Sequence, residues 1–522
     1  MQFERASGVL AHPTSFPGPH GIGDLGDGAH RFVDWLHLAK QQYWQNMPLV
    51  PVGPGNSPYA SVSAFAGNPL LISLPWLVGD ELLEGEDLDG APAFPSHAVD
   101  FEQSAAFKET KLRRAFNRFR AGAGAGLRPA LHAFLDEESA WVHDYALFMA
   151  AKNHFHQAWW LEWDEELAFR REGAVQAWTN RLRSEVDYHS FVQFLFNRQW
   201  RELKRYANAR NIKIVGDIPI FVAHDSADVW AHQDQFRLDK RGRPAVVAGV
   251  PPDYFSKTGQ LWGNPHYDWG AMASDGYSWW VDRFRSLLKL VDVVRIDHFR
   301  GLAAAWVVPA DAETAAKGRW ERGPGAALFK AAIKALGDVP IIVEDLGLIT
   351  DDVVELRREL RLPGMAVLQF AFGGEPDNEY LPHMYRDPIV VYPGTHDNQT
   401  TIGWFAGIDE KTREHVQTYL GCDGSDIAWD FIRLALASTA ELAIFTIQDA
   451  LRLGDEARMN TPGVGLGNWT WRFELSDLTP EVAAGLATLT ETYGRALDEN
   501  PEPRKRDPYD YTAEKTKHPL YA

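Results

Sequence analysis

The sequence predicts an α/β protein built on a (β/α)8 TIM barrel, and three stretches predict it. Val293-Val294-Arg295-Ile296-Asp297-His298-Phe299-Arg300-Gly301 is an apolar run that ends abruptly in an acid bracketed by cations. Pro340-Ile341-Ile342-Val343 runs likewise into Glu344-Asp345-Leu346-Gly347, and Ile389-Val390-Val391-Tyr392-Pro393-Gly394 into Thr395-His396-Asp397-Asn398. A strand buried along its length, with ionisable groups only at its C-terminal tip, describes the catalytic rim of such a barrel. Asp297, Glu344 and Asp397 recur at intervals of about fifty residues, room for a helix and one or two strands between equivalent rim positions. One such acid is as readily a helix cap or a surface ion pair. Three in strand order point to chemistry, because a carboxylate is costly to bury and scarce inside strands.

The elements follow in barrel rhythm. Ala6–Leu10 reads as the first strand and Asp27–Gln41 as its helix, with Phe32, Trp35 and Leu36 on one face. Trp44–Val50 reads as the second strand, leading into the turn-rich Gly53-Pro54-Gly55-Asn56-Ser57-Pro58-Tyr59. From about Leu70 to Leu182 helical periodicity takes over, for example at Leu112, Phe116 and Phe119, which predicts an inserted helical subdomain over 70–182. Helix Phe191–Arg210 returns the chain to strand Ile212–Ile218, and 223–277 reads as a second, loop-like insertion. Strands at Val291–Ile296, Ile341–Val343, Ala366–Phe370, Ile389–Tyr392 and Leu442–Ile447 complete the eight. A bare barrel takes about 250 residues. The 522 residues therefore read as one catalytic barrel, 1–522, with nearly half the chain elaborating its rim.

Composition narrows the function. The formal charge of −19, with no basic runs, disfavours nucleic acid and anionic membrane as partners. One cysteine, Cys422, leaves no intramolecular disulfide framework and no cysteine-rich metal cluster, which suits a reducing compartment. The first residues lack an apolar signal core and no apolar run approaches the roughly 20 residues of a membrane span, so the expected location is cytoplasmic. The 20 tryptophans stand out; their flat rings suit a carbohydrate groove, although Trp159, Trp160 and Trp163 read as packing or surface residues.

Other motifs fail on context. Gly122-Ala123-Gly124-Ala125-Gly126 follows the helical Lys111–Arg120 and precedes Pro129, so it is a linker and not a phosphate loop between strand and helix. His154 and His156 have no carboxylate or cysteine partners nearby in sequence to complete a metal site. No Gly-x-Ser-x-Gly elbow occurs. Three acids on one rim instead suit glycosidic-bond chemistry with retention. One carboxylate attacks the anomeric carbon; a second, kept protonated, serves the leaving oxygen and then the incoming hydroxyl; a third hydrogen-bonds the sugar. Arg295 shares a strand face with Asp297 and can hold it ionised. Neither a metal nor an organic cofactor is expected.

At this point the residues resemble a family, the amylomaltases or 4-α-glucanotransferases of the α-amylase clan, over essentially the whole chain. Gly216–Trp230, Arg295–Gly301, Glu344–Gly347 and Thr395–Asn398 are similar to its four signatures. Asn56–Tyr59, Gly249–Phe255, Trp262–Pro265 and Arg458–Gly463 are similar to further family stretches, with Gln399 and Val464 as departures. The resemblance implies a barrel without the C-terminal β-sandwich of typical amylases. It implies Asp297 as nucleophile, Glu344 as acid/base and Asp397 as transition-state stabiliser. It also implies substrate contacts from Arg295, His298, His396, Asp217, Ser57 and Asn468, a stacking role for Tyr59, and groove residues Asp253, Gln260 and Trp262. The implied substrates are α-1,4-glucans and maltooligosaccharides, with glucose as an acceptor. Hydrolysis by the same acids is the alternative within the class, and a non-catalytic glucan-binding barrel is the alternative outside it; the intact acid set weighs against the latter.

Overall fold

The computed structural model describes residues 3–252 and 257–497. Its strands, in chain order, are β1 Ala6–Leu10, β2 Tyr43–Gln45, β3 Lys213–Pro219, β4 Val246–Val250, β5 Gln260–Pro265, β6 Val293–Asp297, β7 Ala304–Pro309, β8 Arg319–Arg322, β9 Ile341–Val343, β10 Gly364–Val367, β11 Ile389–Tyr392 and β12 Leu442–Thr446. Eight of them form one parallel sheet in the order β10-β11-β12-β1-β2-β3-β6-β9, the predicted barrel. Its two end strands meet at a seam with little ladder of its own. There the Val343 N–H donates to the Pro363 carbonyl at 3.1 Å, and the Met365 N–H donates to the Asp345 carboxylate at 2.7 Å. Arg357, 3.1 Å from Asp345, neutralises that carboxylate.

Strand alternation sorts side chains between two cores. Val215, Val293, Ile342, Val390, Leu442 and Ile444 fill the barrel interior. Val294, Ile296, Val391, Ala443 and Phe445 face the helices. β1 approaches β2 so closely that a Cβ at Gly8 would stand 2.4 Å from the Tyr43 carbonyl oxygen, which only glycine accommodates.

The differences from the sequence reading are local. The second strand stops at Gln45, because Pro48 and Pro51 cannot donate to a ladder and the apolar run continues as loop. The predicted Ala366–Phe370 strand lies two residues earlier, at Gly364–Val367, and Leu368–Phe370 is a 3-10 turn. The helix after the first insertion begins at Arg183 and runs to Asn208. Within 70–182, helix Phe101–Ala121 is capped by Asp100, which accepts from the Gln103 N–H, and buries Leu112, Phe116 and Phe119. Gly122 ends it with φ 114°, so the glycine stretch serves as a helix stop.

The second insertion is more ordered than a loop. β4 and β5 pair antiparallel, and β7 and β8 extend them into a four-stranded sheet on the rim. Trp160 and Trp163 are buried, whereas Trp159 is exposed. Among the described residues, helix Pro480–Thr492 is the last element and no β-sandwich follows the barrel; none of their helices is long and apolar enough to cross a membrane.

Candidate active site

Alternation along β6 turns Val293, Arg295 and Asp297 to the barrel interior, and the ladder sets Asp217 of β3 directly beside Arg295. A guanidinium inside a barrel is expensive unless paired. Arg295 Nη1 lies 2.5 Å from Asp217 Oδ2 and 3.1 Å from Asp297 Oδ1. Burial alone would favour its neutral form, but the two carboxylates outweigh burial and keep it charged. The side chains of Asp297 and Asp397 retain 29 % and 43 % exposure against 1 % for Asp217, so the first two face the groove and the third lies beneath them.

Glu344 follows β9, the strand next to β6. Its Oε2 accepts the His298 N–H at 2.7 Å and its Oε1 accepts the Leu346 N–H at 3.1 Å, which fixes the carboxyl against the end of β6. Burial, then the negative charge of Asp297, push its pKa up to about 8; Arg295 and the two N–H groups oppose this without cancelling it. Glu344 is therefore protonated at neutral pH while its neighbour Asp297 is held by a cation. A carboxyl pushed towards its protonated form beside a carboxylate paired with a cation is what acid-assisted substitution at a sugar carbon requires.

His298 pays for its place in backbone conformation, with φ 53° in the left-handed region. Burial drives its imidazole down to about 4, so the ring is neutral at pH 7. The Trp262 ring of β5 meets it edge-on, with centroids 4.8 Å apart, and Trp262 Nε1 donates to Gln260 Oε1 at 3.2 Å. On the opposite side, the Tyr59 hydroxyl lies 2.9 Å from both Asp217 Oδ2 and His396 Nε2, and the two rings stack at 5.4 Å. Burial, then the charge of Asp297, raise Asp217 to about 6, against the pull of Arg295. Asp397 Oδ1 accepts the Asn460 side-chain amide at 2.6 Å, its carbonyl accepts Arg458 Nη2 at 2.8 Å, and His396 Nε2 stands 3.4 Å from its Oδ2.

The structure thus brings together Asp297, Glu344, Asp397, Asp217, Arg295, His298, His396, Tyr59, Gln260 and Trp262. Ser57 sits one step back, its Oγ accepting the Tyr59 N–H at 3.2 Å. Asn468 is committed to the backbone: its Oδ1 accepts the Thr461 N–H and its Nδ2 donates to the Val464 carbonyl, so it shapes the loop that carries Asn460. Asp253 lies outside the described residues. The sequence reading did not single out Asn460 and Arg458 as the groups that orient Asp397; only their place in a family-like stretch hinted at them. Among the described residues, no group of three or more His, Cys, Asp or Glu is arranged to hold a metal.

The 4-alpha-glucanotransferase family profile matches residues 11–477. A 4-alpha-glucanotransferase of Synechocystis is 50% identical over 501 residues, covering 95% of this chain and 99% of that protein. One of Thermus thermophilus is 46% identical over 503 residues, covering 95% and 100%. Among solved structures, the amylomaltase of Streptococcus agalactiae in complex with acarbose superposes with a TM-score of 0.91 at 37% identity, covering 95% of this chain and all of that one.

Proposed function

The chain belongs to the 4-alpha-glucanotransferase family and is a transferase acting on α-1,4-glucans, and we propose that it works by double displacement through Asp297, Glu344 and Asp397. Asp297 attacks the anomeric carbon as protonated Glu344 gives its proton to the departing glycosidic oxygen, leaving a glycosyl-enzyme ester. Glu344, now ionised, takes the proton of an incoming 4-hydroxyl as that oxygen displaces Asp297. Asp397, oriented by Asn460 and Arg458, binds sugar hydroxyls as the ring flattens. Arg295, 3.1 Å away, sets a cation beside the attacking carboxylate. The observation that carries this reading is geometric: Glu344, both oxygens held by main-chain N–H groups, stands at the end of the strand beside β6, where Asp297 is paired with Arg295.

Donors are α-1,4-glucan chains, and acceptors are glucose or a further maltooligosaccharide; nucleic acid and membrane have no part. The second insertion, 223–277, shapes the acceptor groove through Gln260 and Trp262, and the helical subdomain, 70–182, braces it. A cytoplasmic site of action agrees with a chain that carries one cysteine. Incubation with maltotriose tests the reading: a ladder of shorter and longer maltooligosaccharides is expected, whereas net growth of reducing ends would mean hydrolysis.

A further inference from the structure

His12 follows β1 by two residues, and His396 follows β11 by four. Both strands pair with β12, so the two loops stand over one strand. His12 is 4%, Ser15 0% and His396 5% exposed. His12 Nδ1, Ser15 Oγ and His396 Nδ1 have no hydrogen-bond partner in the protein, and all three residues line one small cavity beneath the groove. Orphaned buried polar atoms are uncommon, and three at one cavity give its otherwise largely apolar wall a polar side.

The bonds above the cavity fix what His396 needs below. Tyr59 has one proton, and ionised Asp217 only accepts, so that proton goes to Asp217. The 2.9 Å contact between Tyr59 and His396 then requires Nε2 of His396 to donate, and Nδ1 is left at the cavity without a partner.

We infer that the cavity is a water site, that its water donates to Nδ1 of both His396 and His12 while accepting from Ser15 Oγ, and that His12 is thereby a positioning residue for His396. Three such bonds are the usual complement of a buried water. Burial holds His12 down to about 3, so its ring stays neutral and able to accept. The water in turn selects the His396 tautomer that donates towards Tyr59 and Asp397. This rests on the glucan-transfer reading of the same site.

A high-resolution crystal structure of the wild-type protein should show one ordered water within hydrogen-bond distance of the three atoms; a dry cavity overturns the inference. In maltotriose transfer, His12→Leu should lower kcat about tenfold or more, the effect of stranding a buried acceptor, with KM nearly unchanged. His12→Asn, which places a polar atom where Nδ1 was, should restore most of that loss. Ser15→Ala, too small a change to threaten folding, should lower kcat in the same direction. Equal activity of His12→Leu and wild type, or equal loss in His12→Asn and His12→Leu, would overturn the role of His12. If wild-type protein transfers no glucan, the functional reading has failed, and the crystallographic water decides this inference alone.

Discussion

The strand-end acids and the β4–β5 hairpin that overhangs them belong to one rim but are held in opposite ways. Arg295 is 3% exposed and bound by two carboxylates, and both oxygens of Glu344 are taken by main-chain N–H groups. Trp262, by contrast, is 38% exposed, and its indole N–H donates to a neighbour on its own strand. Groups that must meet a reacting atom are set where neighbours over-determine them, and groups that greet a variable partner are left with room. Bond cleavage should therefore be intolerant of change in the first region, and partner choice adjustable in the second.

The strongest test removes the acids. Asp297→Asn and Glu344→Gln should each lower transfer from maltotriose by about three orders of magnitude or more while the melting temperature stays close to wild type. Near wild-type turnover in either would end the distinction between the two regions. The pH profile adds a sign. Glu344 must be protonated to assist departure, so glycosylation should decline as pH rises through about 8. With a donor whose leaving group needs no proton, that alkaline limb should vanish.

Arg295→Met probes the buried cluster beneath. It leaves Asp217 and Asp297 without their cation, and breaking such a pair destabilises by about 3–5 kcal/mol. Denaturant titration should show a loss of that order alongside reduced activity; unchanged stability would mean that the cluster is no tighter than the hairpin. The smallest effect is expected at the hairpin. Trp262→Ala should slow glycosylation only about two- to tenfold, the worth of one aromatic contact, and reduce transfer to added glucose further. Equal proportional losses in the two steps would place Trp262 on the donor side.

The same contrast explains what could be read from the sequence. The apolar strands ending in Asp297, Glu344 and Asp397 were legible because a barrel strand is a short hydrophobic run with its chemistry at the tip. Arg295 was legible through strand alternation. The rim sheet was not: Arg319–Arg322 is largely exposed and charged, and nothing in its composition separates it from loop. Apolar character likewise overextended the second strand through Met47–Val50, where burial in irregular backbone imitates a ladder. Asn468 shows another limit: the resemblance implied a sugar contact there, but its hydrogen bonds to the Thr461 and Val464 backbone depend on a loop closure that only coordinates display.

The seam between β9 and β10 bears on how the molecule ages under heat. β9 has three residues, Glu344 comes immediately after it, and across the gap the closure leans on one main-chain hydrogen bond, one carboxylate and its arginine. Local opening begins where ladder bonds are fewest. The barrel should accordingly part first beside Glu344, and a hydrogen-exchange experiment should show the amide hydrogens of Val343 and Met365 exchanging ahead of those in β1 and β12. Thermal inactivation should then run ahead of unfolding, with the molecule losing its chemistry while it still holds its shape.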